Sequence, residues 1–125
     1  MTLHKDSKRV LVCGGRDFYH WGILKFAMET HIGRFRGPNS NITIIQGGAK
    51  GADFLAKAYA DYVGFECEEY LADWNKYKGG AGPIRNKQML VEGKPDLVIA
   101  FRGGSGTANM IRQAKAAGVP VEEVK

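Results

Sequence analysis

Short apolar runs alternate with helical patterns along the chain, and this alternation limits the folds that the sequence can adopt. Three runs are continuous and rich in β-branched residues, at 10–13, 42–45 and 97–101, which is typical of strands covered on both faces. Two further runs, at 67–71 and 119–124, carry adjacent acids or a proline and are predicted to be edge strands. With helical patterns in the four intervals, the predicted order is βαβαβαβαβ.

The four helical patterns have recognisable beginnings and ends. The second is predicted to end at Gly64, and the third to have Pro83 in its first turn. The fourth is predicted to be capped by Thr107 and to stop at Gly118. Apolar residues at helical spacing define the four patterns as Trp21, Leu24, Met28, Ile32 and Phe35; Leu55, Ala58, Tyr59 and Tyr62; Met89 and Leu90; and Ala108, Ile111 and Ala114.

Parallel strands joined by right-handed helical crossovers form a sheet with helices on both faces. If the third and fifth strands are outermost, the simplest doubly wound order is 3-2-1-4-5. The predicted fold class is therefore α/β, a three-layer αβα sandwich around a five-stranded parallel sheet. Ligands of such sheets bind beyond the carboxyl ends of the strands, where the order reverses. We therefore expect the site in the loops after Cys13 and Phe101.

Length and composition favour one domain spanning residues 1–125. The chain has 125 residues, of which 44% are hydrophobic, enough for a core without metal or disulfide support. Its linker-like stretch at 36–41 is too short to separate two domains. No apolar run approaches the length of a membrane span, and the expected location is cytoplasmic. Cys13 and Cys67 are expected to be free thiols, because they lie two strands apart in the predicted sheet.

Glycine-rich loops follow three of the predicted strands, at 14–17, 47–53 and 102–107, and all three open at the same edge of the sheet. Glycine lets backbone N–H groups approach a phosphate, and the N-terminus of the following helix adds positive potential. One such loop alone indicates a tight turn more than a binding site. Three at one edge, together with Arg16, Lys50 and Arg102, favour phosphate binding.

Standard nucleotide-binding motifs do not fit these loops. The dinucleotide-binding pattern fails because Asn109 stands where the third glycine or alanine belongs, and no loop ends in Gly-Lys-Ser/Thr as a P-loop does. An ordinary NAD dehydrogenase and a P-loop NTPase are therefore disfavoured. The histidines, His4, His20 and His31, have neither metal-ligand nor triad spacing, so no metal site is predicted.

A fourth segment, 72–86, is richer in aromatic and charged residues than a turn requires. Trp74 has two interpretations, a platform that stacks on a base and a hydrophobic plug, and the sequence does not decide between them. Arg85 and Asn86 follow Pro83 in the predicted helix, where they are placed to reach a phosphate or a ribose.

Five ordered motifs within 9–121 resemble a known family. They are Gly14-Gly15-Arg16-Asp17-Phe18, Gly47-Gly48-Ala49-x-Gly51-Ala52-Asp53, Ala72-Asp73-Trp74, Ala81-Gly82-Pro83-x-Arg85-Asn86 and Gly103-Gly104-x-Gly106-Thr107. Together they resemble the YspA-type, cpYpsA-related branch of the SLOG superfamily, which occurs in bacteria and phages. The resemblance implies a Rossmann-like fold and the binding or sensing of a nucleotide or nucleotide-derived ligand, such as an NAD-like or ADP-ribose-like compound.

The predicted site combines the loop residues with those of the fourth segment. The sequence identifies no cofactor, and it leaves open whether the protein is an enzyme; Asp17 is the candidate catalytic residue if it is one. The residues predicted to bind the ligand are Gly14, Gly15, Arg16, Asp17, Gly47, Gly48, Gly51, Asp53, Trp74, Arg85, Asn86, Gly103, Gly104, Ser105, Gly106 and Thr107.

Two alternative functions follow from the same resemblance. The superfamily includes LOG-type nucleotide phosphoribohydrolases, whose Pro-Gly-Gly-x-Gly-Thr-x-x-Glu motif is partly matched here, but Arg102 replaces the proline and Met110 the glutamate. It also includes DprA-type DNA-processing proteins, which makes single-stranded DNA binding a third hypothesis. The net charge of +5 favours anionic partners, but without a dense basic patch nucleic-acid binding is expected to be weak or absent. A homo-oligomer is expected by analogy with the superfamily.

Overall fold

The structure is a computed structural model that describes residues 7–34 and 41–125. In these two ranges the chain forms five strands and five helices. The strands are β1 (Ser7–Cys13), β2 (Asn41–Gln46), β3 (Glu66–Glu69), β4 (Leu97–Ala100) and β5 (Val121–Glu123). The helices are α1 (Trp21–Ile32), α2 (Ala52–Val63), α3 (Trp74–Tyr77), α4 (Ala81–Gly93) and α5 (Ser105–Ala116), with a 3-10 turn (Lys78–Gly80) between α3 and α4.

The strands form a parallel sheet in the order β3-β2-β1-β4-β5, which confirms the predicted order. β1 is central, and its Val10 pairs with Ile44 of β2 and with Leu97 of β4. The chain builds outward first on one side of β1 and then on the other, so the order reverses between β1 and β4. The loops after these two strands therefore lie side by side at the carboxyl edge.

Apolar side chains of the central strands fill two cores, one on each face of the sheet. Val10 and Val12 of β1 pack in the core shared with α1 and α2, whereas Leu11 and Cys13 pack in the core shared with α4 and α5. Alternate side chains of a strand enter opposite layers, which is why the central runs are continuously apolar. The predicted three-layer αβα arrangement is confirmed.

The outermost strands are β3 and β5. These are the two strands that the sequence predicted to be edges. Glu66 and Glu69 of β3 are exposed, and charged side chains at an edge discourage pairing with another chain. Cys67 of β3 lies two strands away from Cys13 of β1, and both thiols are free. The prediction of free cysteines is therefore confirmed.

Predicted helix ends agree with the structure at three positions and disagree at one. α2 is followed by Gly64 in the left-handed conformation, with φ 83°. Gly118, with φ 77°, follows the end of α5, and Pro83 lies in the first turn of α4. The prediction that Thr107 caps α5 is wrong, because the helix already begins at Ser105 with Gly104 at the cap position. A glycine supplies no side-chain acceptor, so the sequence carries no hydroxyl or carboxylate signal at the actual cap position.

Three further features bear on the sequence predictions. Phe35, assigned by spacing to the first helix, lies outside the described residues, as does the linker at 36–41 apart from Asn41, which begins β2. Helix α3 and the 3-10 turn after it were not predicted. Asp73 caps α3 by accepting a hydrogen bond from the Lys76 amide at 3.0 Å. A four-residue helix is too short to show apolar periodicity, so this cap was its one signal in the sequence.

Candidate functional site

The loops after β1, β2 and β4 meet at the carboxyl edge and are joined by backbone hydrogen bonds. We call them the β1 loop (14–20), the β2 loop (47–51) and the β4 loop (101–104). The Gly15 amide donates to the Arg102 carbonyl at 2.7 Å, and the Gly15 carbonyl accepts from the Ala52 amide at 3.1 Å. Because Ala52 is the first residue of α2, these two bonds attach the β1 loop to the β4 loop and to the helix that follows the β2 loop.

Several glycines of these loops are required by the contacts between the loops. Gly51 has φ 77°, and a Cβ at this position would overlap the Gly15 carbonyl oxygen. A Cβ on Gly14 would lie 2.6 Å from Cβ of Ala52, and one on Gly103 would lie 2.8 Å from the Gly15 nitrogen. Glycine is the residue that allows backbones to approach this closely. These positions therefore have a structural reason to be glycine that does not depend on any ligand.

The first turn of α5 differs, because its glycines border open space. Apart from the adjacent residues and the backbone of the helix itself, no heavy atom of the described residues lies within 4 Å of a Cβ built on Gly104 or on Gly106. The cap residue, Gly104, supplies no side-chain hydrogen bond to this end of the helix, and the first turn contains no acidic residue. The first amides of a helix have no intrahelical acceptor and carry partial positive charge. This turn therefore presents hydrogen-bond donors and positive potential to the space beside the β1 loop.

The N-terminus of α2, by contrast, is neutralised by groups of the protein itself. Asp53 lies in its first turn and is only 6% exposed. Its Oδ2 accepts a hydrogen bond from the Ala49 amide at 3.2 Å. Burial raises the pKa of this carboxyl, and the opposing influences are the hydrogen bond from Ala49 and the positive charge of Arg85. With Asp53 and the Gly15 carbonyl already in place, this helix end is less suited than α5 to bind an anion.

Gln46, which the sequence analysis did not single out, also shapes the β2 loop. It is 1% exposed, its Oε1 accepts from the Gly48 amide at 2.5 Å, and its Nε2 donates to Glu69 Oε1 at 3.0 Å. A groove of about 230 Å³ lies beside it, between the β2 loop, α2 and Glu69. The sequence signal that could have identified Gln46 is that a polar residue directly follows the apolar run 42–45.

Arg85 of α4 is half-buried, and its guanidinium joins the ends of two strands. Nη1 donates to the Gly47 carbonyl at 2.7 Å and to the Tyr70 carbonyl at 3.5 Å. Burial lowers the pKa of Arg85, while the nearby Asp53 carboxylate raises it. A Cβ on Gly47 would lie 2.6 Å from Cζ of Arg85, so glycine at this position makes room for the guanidinium. The side chain thus supports the β2 loop, a role that its sequence position did not reveal.

Asn86 is 4% exposed and lies against the first turn of α5. Its Oδ1 accepts from Arg85 Nε at 3.2 Å. Its Nδ2 donates to the Gly106 carbonyl at 3.2 Å and to Asn109 Oδ1 at 3.1 Å. The amide therefore contacts protein groups at both of its polar atoms.

Trp74 begins α3 at the rim of these loops and is 48% exposed. Cζ of Arg16 lies 5.7 Å from the centre of its ring, which is a cation–π contact. An open hollow of about 490 Å³ runs along residues 71–75. The indole is too exposed to serve as a core plug, and part of its surface is free to contact a planar group.

The other predicted site residues divide between loop contacts and open surface. Gly48 has φ 74° and faces Leu71, and Thr107 is 8% exposed next to Gly103. Ser105 and Lys50 are exposed. The structure thus brings the predicted residues of all three glycine loops to one edge, and it leaves the first turn of α5 as the open part of that edge.

The family of the chain follows from comparison with known proteins. A model of the YspA, cpYpsA-related SLOG family matches residues 8–77, a stretch that includes the β1 loop, the β2 loop and α3. The chain belongs to this SLOG family. The resemblance drawn from the five motifs is therefore confirmed, and membership fits a nucleotide-related role.

One known protein and one solved structure resemble the chain over most of its length. The Gene 61 protein of Mycobacterium phage D29 is 35% identical over 125 aligned positions, which cover 91% of this SLOG protein and 94% of the phage protein. The X-ray structure of TM1055 matches with a TM-score of 0.63 and 19% sequence identity, covering 91% of this chain and 72% of that one. At this identity the likeness to TM1055 concerns the fold alone.

Three positions near the open turn bear on whether the SLOG protein performs catalysis. Asp17 is an exposed carboxylate of the β1 loop. Met110, one turn into α5, is fully buried in the core shared with α4, so its side chain does not face the loops. Cys13 is buried at the end of β1, and burial raises the pKa of its thiol to about 12. A thiol with such a pKa stays protonated at neutral pH and is a poor nucleophile.

Within 7–34 and 41–125, no three His, Cys, Asp or Glu side chains are grouped so that they could hold a metal ion. In that same part of the chain, the helices are too short or too polar to cross a bilayer.

Proposed function

We propose that this SLOG protein binds a nucleotide-derived ligand of the ADP-ribose or NAD type, with a phosphate at the first turn of α5. The observation that carries the proposal is the open and uncapped N-terminus of α5 where the strand order reverses. Helix N-termini of this kind bind phosphate through their free amides and their dipole. Family membership fits a nucleotide-related role.

Two exposed arginines support an anionic ligand at this turn. Arg102 lies in the β4 loop just before α5, and Arg16 lies in the β1 loop. The hydrogen bond between the Gly15 amide and the Arg102 carbonyl connects these two loops. A single guanidinium can bind a phosphate through two parallel N–H···O hydrogen bonds. Two such groups on the two loops that are joined at this turn suit a ligand with more than one negative charge, such as a diphosphate.

Trp74 supplies a surface for the base of the ligand. Its ring is about half-exposed and is held in place by the cation–π contact with Arg16. Stacking of a base on an aromatic side chain contributes about 1–3 kcal/mol. Because Arg16 belongs to the β1 loop, the stacking surface and the phosphate turn are positioned by the same loop.

Binding without cleavage is the form of the proposal that the residues favour. The first turn of α5 carries no acid, and the position that would supply a glutamate one turn later is the buried Met110. A nucleotide hydrolase is the second candidate, because Asp17 is an exposed carboxylate at the same edge and could replace the missing glutamate as general base.

Thermal unfolding with a panel of ligands tests the proposal. ADP-ribose, NAD, AMP and pyrophosphate are added to protein that has been freed of bound nucleotide. A ligand at about a hundred times its Kd contributes about 2.7 kcal/mol, which should raise Tm of a chain of this size by roughly 10 °C. A panel that gives no shift at millimolar concentration would refute the proposed function.

Charge-removing variants locate the phosphate. Arg102→Gln should reduce the Tm shift, because it removes an exposed guanidinium from the loop just before α5. Arg16→Gln should also reduce it, because it removes both a charge and the contact with Trp74. Lys115→Gln is the matched control, since it removes an exposed charge from the last turn of the same helix. A shift reduced equally in all three variants would indicate a general charge effect and not a phosphate at the first turn.

A further inference from the structure

A chain of side-chain hydrogen bonds joins the β2 loop to the first turn of α5. At one end, Arg85 Nη1 donates to the Gly47 carbonyl at 2.7 Å. Arg85 Nε donates to Asn86 Oδ1 at 3.2 Å, and Asn86 Nδ2 donates to the Gly106 carbonyl at 3.2 Å. Asn86 is therefore the link between a group that contacts one loop and a carbonyl within the open turn.

The chemistry of these partners fixes the orientation of the Asn86 amide. A guanidinium only donates, so Oδ1 must face Arg85, whereas the Gly106 carbonyl only accepts, so Nδ2 must face α5. The second proton of Nδ2 points to Asn109 Oδ1 at 3.1 Å, and that oxygen also accepts from Gln113 Nε2 at 2.7 Å. An amide is the side-chain group that can accept on one side and donate twice on the other.

The turn that Asn86 contacts is held from within by the buried Thr107 next to Gly103, and Asn86 holds it from α4. Gly104 and Gly106 have no Cβ and border open space, and glycine leaves the backbone more freedom than any other residue. A hydrogen bond from a buried side chain to the Gly106 carbonyl restricts that freedom. A site in which the donors are already oriented loses less entropy when its ligand binds.

We propose that Asn86 is a positioning residue, which holds the first turn of α5 in the orientation that receives a phosphate and ties it, through Arg85, to the β2 loop. The proposal rests on the proposed function, because the turn it positions is the proposed phosphate site. Asn86 is buried and acts through the backbone of the turn, not by touching the ligand.

Two variants of Asn86 separate its two connections. Asn86→Asp keeps an acceptor for Arg85 but cannot donate to α5, either to the Gly106 carbonyl or to Asn109 Oδ1. Asn86→Leu removes both connections at similar volume and without adding charge. Gln113→Met is the matched control, because Gln113 donates to Asn109 and to the Pro83 carbonyl but contacts neither the Gly106 nor the Gly47 carbonyl.

Backbone amide shifts in the unliganded protein report each connection directly. The amide of Thr107 shares a peptide group with the Gly106 carbonyl, and the amide of Gly48 shares one with the Gly47 carbonyl. Asn86→Asp should move the Thr107 signal and leave Gly48 near its wild-type position. Asn86→Leu should move both signals, and Gln113→Met should move neither. A Thr107 signal unchanged in Asn86→Asp would overturn the proposal.

Titration with ADP-ribose then tests whether this positioning matters for binding. Both Asn86 variants should bind about tenfold more weakly than the wild type, and Gln113→Met should bind normally. Wild-type affinity in Asn86→Leu despite a displaced Thr107 signal would overturn the positioning role while the proposed function stands. A wild type that binds neither ADP-ribose nor pyrophosphate would overturn the proposed function and this inference with it.

Discussion

Replacing Gly106 with alanine separates ligand binding from folding, because the two effects have opposite signs. Gly106 is the second residue of α5, and a Cβ there meets no heavy atom of another described element within 4 Å. Alanine stabilises a helix relative to glycine by roughly 0.5–1 kcal/mol. For 125 residues the entropy of unfolding is about 0.26 kcal/mol/K, so Tm should rise by about 2–4 °C.

The same methyl group should interfere with the ligand. The Cα–Cβ bond of a helical residue tilts toward the helix N-terminus, which at α5 is the space proposed for the phosphate. Affinity for ADP-ribose should fall at least tenfold, which corresponds to about 1.4 kcal/mol. Calorimetric unfolding and isothermal titration measure the two effects on the same preparation.

Gly22 provides a matched control for this substitution. It is the second residue of α1, and a Cβ at this position also meets no heavy atom within 4 Å. Gly22→Ala and Gly106→Ala should raise Tm to a similar extent, but only Gly106→Ala should lose affinity. If Gly106→Ala binds ADP-ribose as tightly as Gly22→Ala does, the phosphate does not approach the first turn of α5 and the reasoning is refuted.

Four further expectations follow from the structure. Arg85→Ala should lower the free energy of unfolding of the unliganded protein by about 1–3 kcal/mol, because two strand-end carbonyls lose their donor; denaturation in urea that shows no loss would contradict this. Burial raises the folded-state pKa of Asp53, so its contribution to stability is full below the pKa of the unfolded chain and is lost as pH rises through the folded-state pKa. Asp53→Asn should remove that dependence. If the unfolding free energies of the variant and the wild type change equally with pH above about pH 4, this expectation is contradicted. Free base should not be released from AMP or CMP, since the carboxylate position one turn into α5 is a buried methionine; multiple turnover that disappears in Asp17→Ala would identify a hydrolase. Binding to single-stranded DNA should be weak and lost between about 50 and 200 mM salt; binding that persists at physiological salt and is abolished by Trp74→Ala would favour the DNA-binding alternative.

Most of the fold could be predicted because its signals are local. The acids at 67–71 and Pro120 marked β3 and β5 as edges, and with right-handed crossovers two known edges leave one simple strand order. The start of α5 was misplaced because Gly104 caps it without a side-chain acceptor. Helix α3 was missed because four residues do not span enough turns to reveal an apolar face.

The site was predicted less completely, because its details depend on contacts between distant parts of the chain. Three glycine loops at one edge were visible in the sequence, but the sequence does not show that Gly51 lies against Gly15 while Gly106 faces open space. The direction of Arg85 is likewise set by the carbonyl of Gly47, which is 38 residues away. Residue type and spacing therefore predicted which edge of the sheet carries the proposed site. Which residues support the loops depends on contacts between residues that are far apart in the sequence.

The unequal surroundings of the glycines predict how they should vary among homologues. Gly51 and Gly103 are needed wherever the loops contact one another as they do here, so any homologue with this fold should retain them, whatever it binds. A Cβ at Gly104 or Gly106 would meet no atom of another element among the described residues. A homologue that has lost the ligand is therefore free to replace Gly104 with a residue that caps the helix and Gly106 with a better helix former. The residues at these two positions should therefore distinguish members of the family that bind the ligand from members that do not. A sequence motif that gives equal weight to all the loop glycines would not make this distinction.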